Sequence, residues 1–220
     1  MATRRIVRTD GVHIEVYEMM VMRRKGSGAW GVIVLAGMGI LLAGAGCSIP
    51  FSSRPIETRS VHSPVGLTLV PGIRAYRSAD KNTADVYLTD LPRSACEPGA
   101  SIEGLSGQVL HLHLFISPEA GSTPIDRTAC SVMVRLVVLS RGEVGLYGGG
   151  GFLQPSSDPG SRSFDGTIRG ATLRLIASTR NFKDLLGACE LSGTISAPRD
   201  EAASGVLEVR LNELMRAARQ

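Results

Sequence analysis

Alternation of apolar and polar residues dominates the chain beyond about residue 65. In VLHLHLFI, Leu110, Leu112, Leu114 and Ile116 fall on one side of an extended backbone, with Val109, His111, His113 and Phe115 on the other. In SVMVRLVVL, Val132, Val134, Leu136 and Val138 share a side, and in TLRLIA Leu173 and Leu175 oppose Arg174. Successive side chains of a strand leave opposite faces of a sheet, so a period of two rich in β-branched residues predicts half-buried strands. Runs at about 66–70, 73–78, 84–89, 143–148, 188–196 and 206–211 predict more strands. Turn chemistry separates them in PEAGSTP, in QPSSDPGS and at Ser140-Arg141-Gly142. The pattern predicts a mainly β domain: an antiparallel sandwich or barrel-like sheet of about eight or nine short strands.

Helical spacing is confined to two places. Asn181 is placed to cap a single turn, FKDLL, that stops at Gly187. In the tail, Leu207, Leu211, Leu214 and Ala218 suit a short C-terminal helix, whereas VLEVRL suits a strand. The period leaves both open.

A different pattern marks the N-terminal region. Arg23, Arg24 and Lys25 precede an apolar run from about Ala29 to Ala43, then Gly44-Ala45-Gly46-Cys47 and the polar stretch SIPFSSRP. A basic start, an apolar segment of about 15 residues and small residues before a cleavage point make up a secretory signal. The cations hold the start of the segment on the cytoplasmic side. LLAGAGC also resembles the lipobox of bacterial lipoproteins, with Gly44 where that box most often carries Leu. The resemblance spans about residues 22–47 and implies that Cys47 becomes the first residue of the mature chain, its thiol carrying a diacylglyceryl group. It further implies a palmitate-type anchor in the cell envelope, periplasm-facing. Ser48, where inner-membrane retention commonly uses Asp, favours the outer membrane over the inner. Residues 1–21 precede a signal that would be complete from Met19, Met20 or Met22, so they read as a start codon placed too early or a short cytoplasmic extension. The expected organisation is 1–21 as that extension, 22–46 as signal peptide, 47–64 as lipidated tether and 65–220 as one exported β-rich domain.

Charge follows the same division. Of 24 Lys and Arg and 20 Asp and Glu, six cations and three acids precede Cys47, leaving 18 and 17 beyond it. The net basicity thus belongs to the targeting segment. With aromatic residues at 5%, the domain has neither a basic stripe nor stacking platforms, which excludes nucleic acid as a partner.

Candidate chemistry is sparse. Cys96, Cys130 and Cys189 could yield one disulfide in an oxidising compartment, with the pairing open. His111 and His113 share one face of a strand and would chelate a metal only if a third ligand arrived from a neighbour. The run Gly148-Gly149-Gly150-Gly151 lacks the Lys and helix start of a phosphate loop, and reads as a tight or bulged strand connection or a close backbone approach. Asp80, Asp85 and Asp90 lack calcium-loop spacing and read as strand-end solvation. No nucleophile-elbow, zinc-protease or nucleotide-loop motif is present, and no cofactor is implied. The sequence therefore predicts a membrane-anchored, non-catalytic lipoprotein whose sheet surfaces meet an envelope protein, glycan or lipid. The alternatives are an exported hydrolase-like enzyme with a loop-built site near His111 and His113, and a small-ligand carrier.

Overall fold

The computed structural model describes the backbone of residues 3–9 and 12–18 and all atoms of residues 55–115 and 130–220. The apolar segment, Cys47 and the PEAGSTP turn lie outside these residues. The described chain is mainly antiparallel β. After a hairpin of β1 (Thr3–Thr9) and β2 (Val12–Glu18) come β3 (Ile56–Ser60), β4 (Gly66–Leu69), β5 (Ile73–Arg77), β6 (Ala84–Thr89) and a helical turn α1 (Arg93–Cys96). They are followed by β7 (Gly107–Leu114), β8 (Val132–Ser140), β9 (Glu143–Pro155), β10 (Ser163–Ser178), β11 (Cys189–Pro198) and helix α2 (Glu201–Ala217). Nine strands form one curled sheet in the order β4-β3-β11-β10-β9-β8-β7-β6-β5, and β2 meets β4 only at Ile14 and Leu67.

The curl brings each edge strand against the interior of the sheet. Tyr76 on β5 bridges Arg199 just past β11, the Asp200 N–H donates to the Tyr76 carbonyl at 3.0 Å, and the Tyr76 hydroxyl donates to the Ser161 carbonyl. The Tyr76 and Phe164 rings meet at 5.6 Å inside this seam. On the other edge the Gln108 side-chain amide donates to the Thr68 carbonyl at 3.3 Å, tying β4 to β7.

Sheet curvature has a local cause. Long strands β9 and β10 shift register between Arg169 and Thr172, at a bulge whose Gly170 adopts φ 62°. A bulge bends its strand and raises the twist, and only glycine enters that backbone region without penalty. Opposite it, a Cβ on Gly149 would stand 1.9 Å from the Thr172 carbonyl oxygen, and one on Gly151 2.7 Å from the Ala171 Cα. The glycine run thus lies inside strand β9 and not in a connection, and close backbone approach is the reason for it.

Both faces of the sheet are apolar. Inward, Leu110, Leu112 and Leu114 pack with Val132, Val134, Leu136, Leu153, Phe164 and Ile168, so the interior is filled. Outward, Val109, Val137, Leu139, Val144 and Leu146 form a second core with Leu207, Leu211 and Leu214 of α2. Each buried aliphatic side chain contributes roughly 1.5–3 kcal/mol relative to exposure. Such a sheet is stable only with the helix in place.

Three expectations are corrected. The 206–211 run is helical, because Asp200 caps α2 by accepting the Ala203 N–H at 2.9 Å and the helical spacing of Leu207, Leu211 and Leu214 meets the outer core. The stretch read as tether contains β3, where Ile56 and Thr58 are buried and alternate with the ion-paired Glu57 and Arg59. FKDLL forms no helical turn: Asn181 bonds Glu143 instead, and Asp184 accepts the N–H groups of Leu186 and Gly187.

Gly149→Ala is expected to lower stability by about 2–3 kcal/mol, since the carbonyl it meets belongs to the backbone and cannot turn aside. Gly205→Ala, where an added Cβ meets nothing within 4 Å, is expected to raise it by about 0.5–1 kcal/mol through helix propensity. Urea unfolding of both variants, followed by far-ultraviolet circular dichroism, checks the opposite signs.

Candidate functional site

The histidine pair lies on the outer face of β7, beyond the area that α2 covers. Antiparallel register sets His113 opposite Asp85 on β6, and His111 opposite Tyr87. Asp85 Oδ1 receives both imidazoles, from His111 Nε2 at 2.9 Å and His113 Nδ1 at 2.8 Å. An ionised carboxylate only accepts, so both nitrogens carry the shared protons. His111 is buried and stacked on the Tyr87 ring at 4.6 Å, and its Nδ1 has no partner. His113 remains a third exposed.

Charged neighbours extend the cluster onto the helix. Arg77 on β5 stands 3.7 Å from Asp85 and donates to Glu208 of α2 at 2.8 Å. Partial burial works to raise the Asp85 pKa, but the hydrogen bonds and charges of His111 and His113 outweigh it and hold the carboxyl at about 2. Burial, reinforced by the charges of Asp85 and Glu208, pushes the Tyr87 phenol up. Glu208 likewise raises the Arg77 guanidinium through its hydrogen bond.

The third group that the histidines require is therefore Asp85, but the arrangement is a carboxylate shared by two imidazoles. Its oxygen is occupied by ring protons, and no group of three His, Cys, Asp or Glu side chains among the described residues is placed to hold a metal ion. No Ser, Thr or Cys among them hydrogen-bonds to either ring. Asp85, read from the sequence as strand-end solvation, instead joins the two histidines, because its face is set by strand register. The signal lay in ADVYLT, where Asp85 and Tyr87 alternate with Val86 and Leu88. Asp80 instead accepts the N–H groups of Asn82 and Thr83 in a turn, and Asp90 that of Gln108 at 2.6 Å, with burial raising its pKa.

The three described cysteines are free thiols on different surfaces. Cys96 lies in the outer core and Cys189 in the inner core, on opposite sides of the sheet. Burial pushes the Cys96 thiol up, and burial with the Asp184 charge brings Cys189 to about 11. Cys130 is exposed, its sulfur 3.4 Å from the Val132 carbonyl.

A second feature occupies the barrel mouth. The segment between β10 and β11 folds inward, and Phe182 covers Gly145, where a Cβ would stand 2.2 Å from the ring. Asp184 holds the segment down by accepting the Tyr147 hydroxyl at 2.6 Å and the Gly187 N–H at 2.9 Å. Beside this plug lies a pocket of 460 Å³ between the segment, β4 and the β8–β9 turn. Its rim carries Arg141, Glu143 and Lys183. Hydrogen bonds from Thr179 and Asn181 hold the Glu143 carboxyl low. No motif announced this pocket, because its walls come from four separate segments.

No family model, no curated protein and no solved structure matches the chain. No helix among the described residues is long and apolar enough to cross a membrane.

Two outcomes are expected from this geometry. Because the folded Asp85 pKa lies below its ordinary 3.8, ionised Asp85 stabilises the fold above that value, and the contribution is lost as pH falls toward 2. Asp85→Asn should lower unfolding free energy by about 2 kcal/mol at pH 5 and by progressively less below pH 4. Paired urea titrations across that range measure the convergence. Among the described thiols, only Cys130 should react with a bulky maleimide in the folded protein, Cys96 and Cys189 following on unfolding, as read by peptide mass spectrometry.

Proposed function

We propose that the chain is a lipid-anchored envelope protein whose β domain binds rather than catalyses. The location rests on the sequence: cations, an apolar segment and LLAGAGC together suit export followed by acylation at Cys47. One acyl chain anchors marginally, whereas two or three hold a protein on a membrane nearly permanently. The outer membrane is the preferred site, with Ser48 as the reason.

The role rests on one observation. The interior of the curled sheet is filled and α2 covers part of its outer face, while an apolar concavity of 460 Å³ opens at the mouth beside the plug segment. Pockets of this size at barrel mouths suit small apolar or amphiphilic groups. A filled interior argues against a carrier that encloses its cargo within the barrel, and leaves recognition to the rim. The competing reading is an exported hydrolase in which Asp85 orients His113 as general base. The shared carboxylate supports it, and the lack of a nucleophile bonded to either ring among the described residues weighs against it.

Radiolabelled palmitate fed to expressing cells should label the full chain and place it in the membrane fraction. Cys47→Ala should abolish the label and release the protein from membranes. An unlabelled wild type, or a variant that keeps the label, overturns the anchor.

A further inference from the structure

We infer that Cys130, Met133 and His113 bind one soft monovalent metal ion, of the copper(I) type, on the outer face of the sheet. The inference is independent of acylation at Cys47 and of the mouth pocket.

Strand register sets the three side chains in a row. His113 on β7 lies opposite Met133 on β8, and Met133 lies opposite Gly150 on β9. Residues directly opposite on adjacent strands stand about 5 Å apart at Cβ. Gly150 carries no side chain, and the Cys130 sulfur fills its place, 2.8 Å from where a Cβ would stand. An imidazole, a thioether and a thiol therefore occupy successive positions, with Met133 in the middle. All three reach solvent: Met133 is 37% exposed, the His113 ring 34%, and Cys130 is an exposed free thiol.

The imidazole is already oriented. Asp85 on β6 holds His113 Nδ1 at 2.8 Å, and Nε2 has no hydrogen-bond partner among the described residues. The two nitrogens of an imidazole face apart, so Nε2 is turned from β6 toward the Met133 side. A carboxylate on one nitrogen fixes the tautomer and raises the basicity of the other, the arrangement that metal-binding histidines carry. His111 takes no part, since it lies buried against Tyr87 with its Nε2 held by Asp85.

Donor chemistry selects the ion. Thiolate and thioether sulfur favour copper(I), and imidazole suits copper as well. Cys130 supplies the one anionic ligand, because Asp85 stands behind the ring. Arg135, opposite His111 on the same face, repels a divalent ion more strongly than a monovalent one. The thiol donates to the Val132 carbonyl at 3.4 Å, a long contact that is readily given up. Coordination replaces this proton, which passes to solvent, and leaves a thiolate that neutralises a single positive charge.

Silver(I) is a soft monovalent probe that needs no reductant. The full chain in detergent, reduced and then freed of reductant, is titrated with silver nitrate and, separately, with zinc(II) in a calorimeter. Silver(I) should bind at one ion per chain, and zinc(II) should give no comparable event. Cys130→Ser should abolish silver binding. Met133→Leu and His113→Gln should each weaken it at least about tenfold, the smallest loss expected when even a group outside the ligand shell is removed. All three positions reach solvent, and unchanged circular dichroism verifies the fold of each variant. Cys47→Ala should still load one ion, so a failed anchor and a failed metal site give different results. Silver binding retained by Cys130→Ser overturns the inference. So does insensitivity to either Met133→Leu or His113→Gln, which signifies a thiol acting alone, or zinc(II) binding as tightly as silver(I).

Discussion

A sheet with apolar side chains on both faces has to be covered twice, and this requirement governs the rest of the molecule. Along β7, Leu110, Leu112 and Leu114 need an interior, which the curl of the nine strands provides. Val109 on the same strand needs a cover outside, which α2 provides with Leu207, Leu211 and Leu214. Where the outer face turns polar, at His111, His113 and Arg135, the helical cover ends and the shared-carboxylate cluster begins. The change of character along one strand therefore separates an apolar half under the helix from a polar half in which His113 reaches solvent.

Closure depends on backbone approach as much as on side-chain burial. Strands β9 and β10 are the longest, and they follow the curl of the sheet through the bulge at Gly170 and the bare stretch at Gly149 and Gly151. The same economy operates at the mouth, where the missing Cβ of Gly145 admits Phe182. Glycines that look like loop punctuation are in this protein the reason that a filled barrel can form at all.

Much of the fold was legible because period-two alternation is a local signal. Leu110 to Leu114 and Val132 to Val138 read directly as the inward rows they are. The 84–89 strand was placed to the residue, and 66–70 and 73–78 nearly so. What escaped was set by contacts distant in sequence. Helix α2 prevailed over VLEVRL because the outer core needed a cover, and β3 escaped because Pro55 and the polar residues around it mask two inward positions. Asp85 belongs with His111 and His113 only through strand register, and the mouth pocket only through four segments that the chain brings together late. The cysteines show the same limit, since spacing cannot tell which face of a sheet each thiol occupies.

The contact between Tyr76 and Arg199 also bears on the order of events during synthesis. These residues are separated by more than half of the chain, and bringing such distant positions together is entropically costly and slow. The seam cannot be sealed before the last strand has emerged, and the helix that shields the outer face follows only afterwards. Until then the inner and outer apolar rows of the sheet lack the partners that cover them in the finished fold. The contact between Tyr76 and Arg199 thus ties completion of the sheet to residues that follow its last strand.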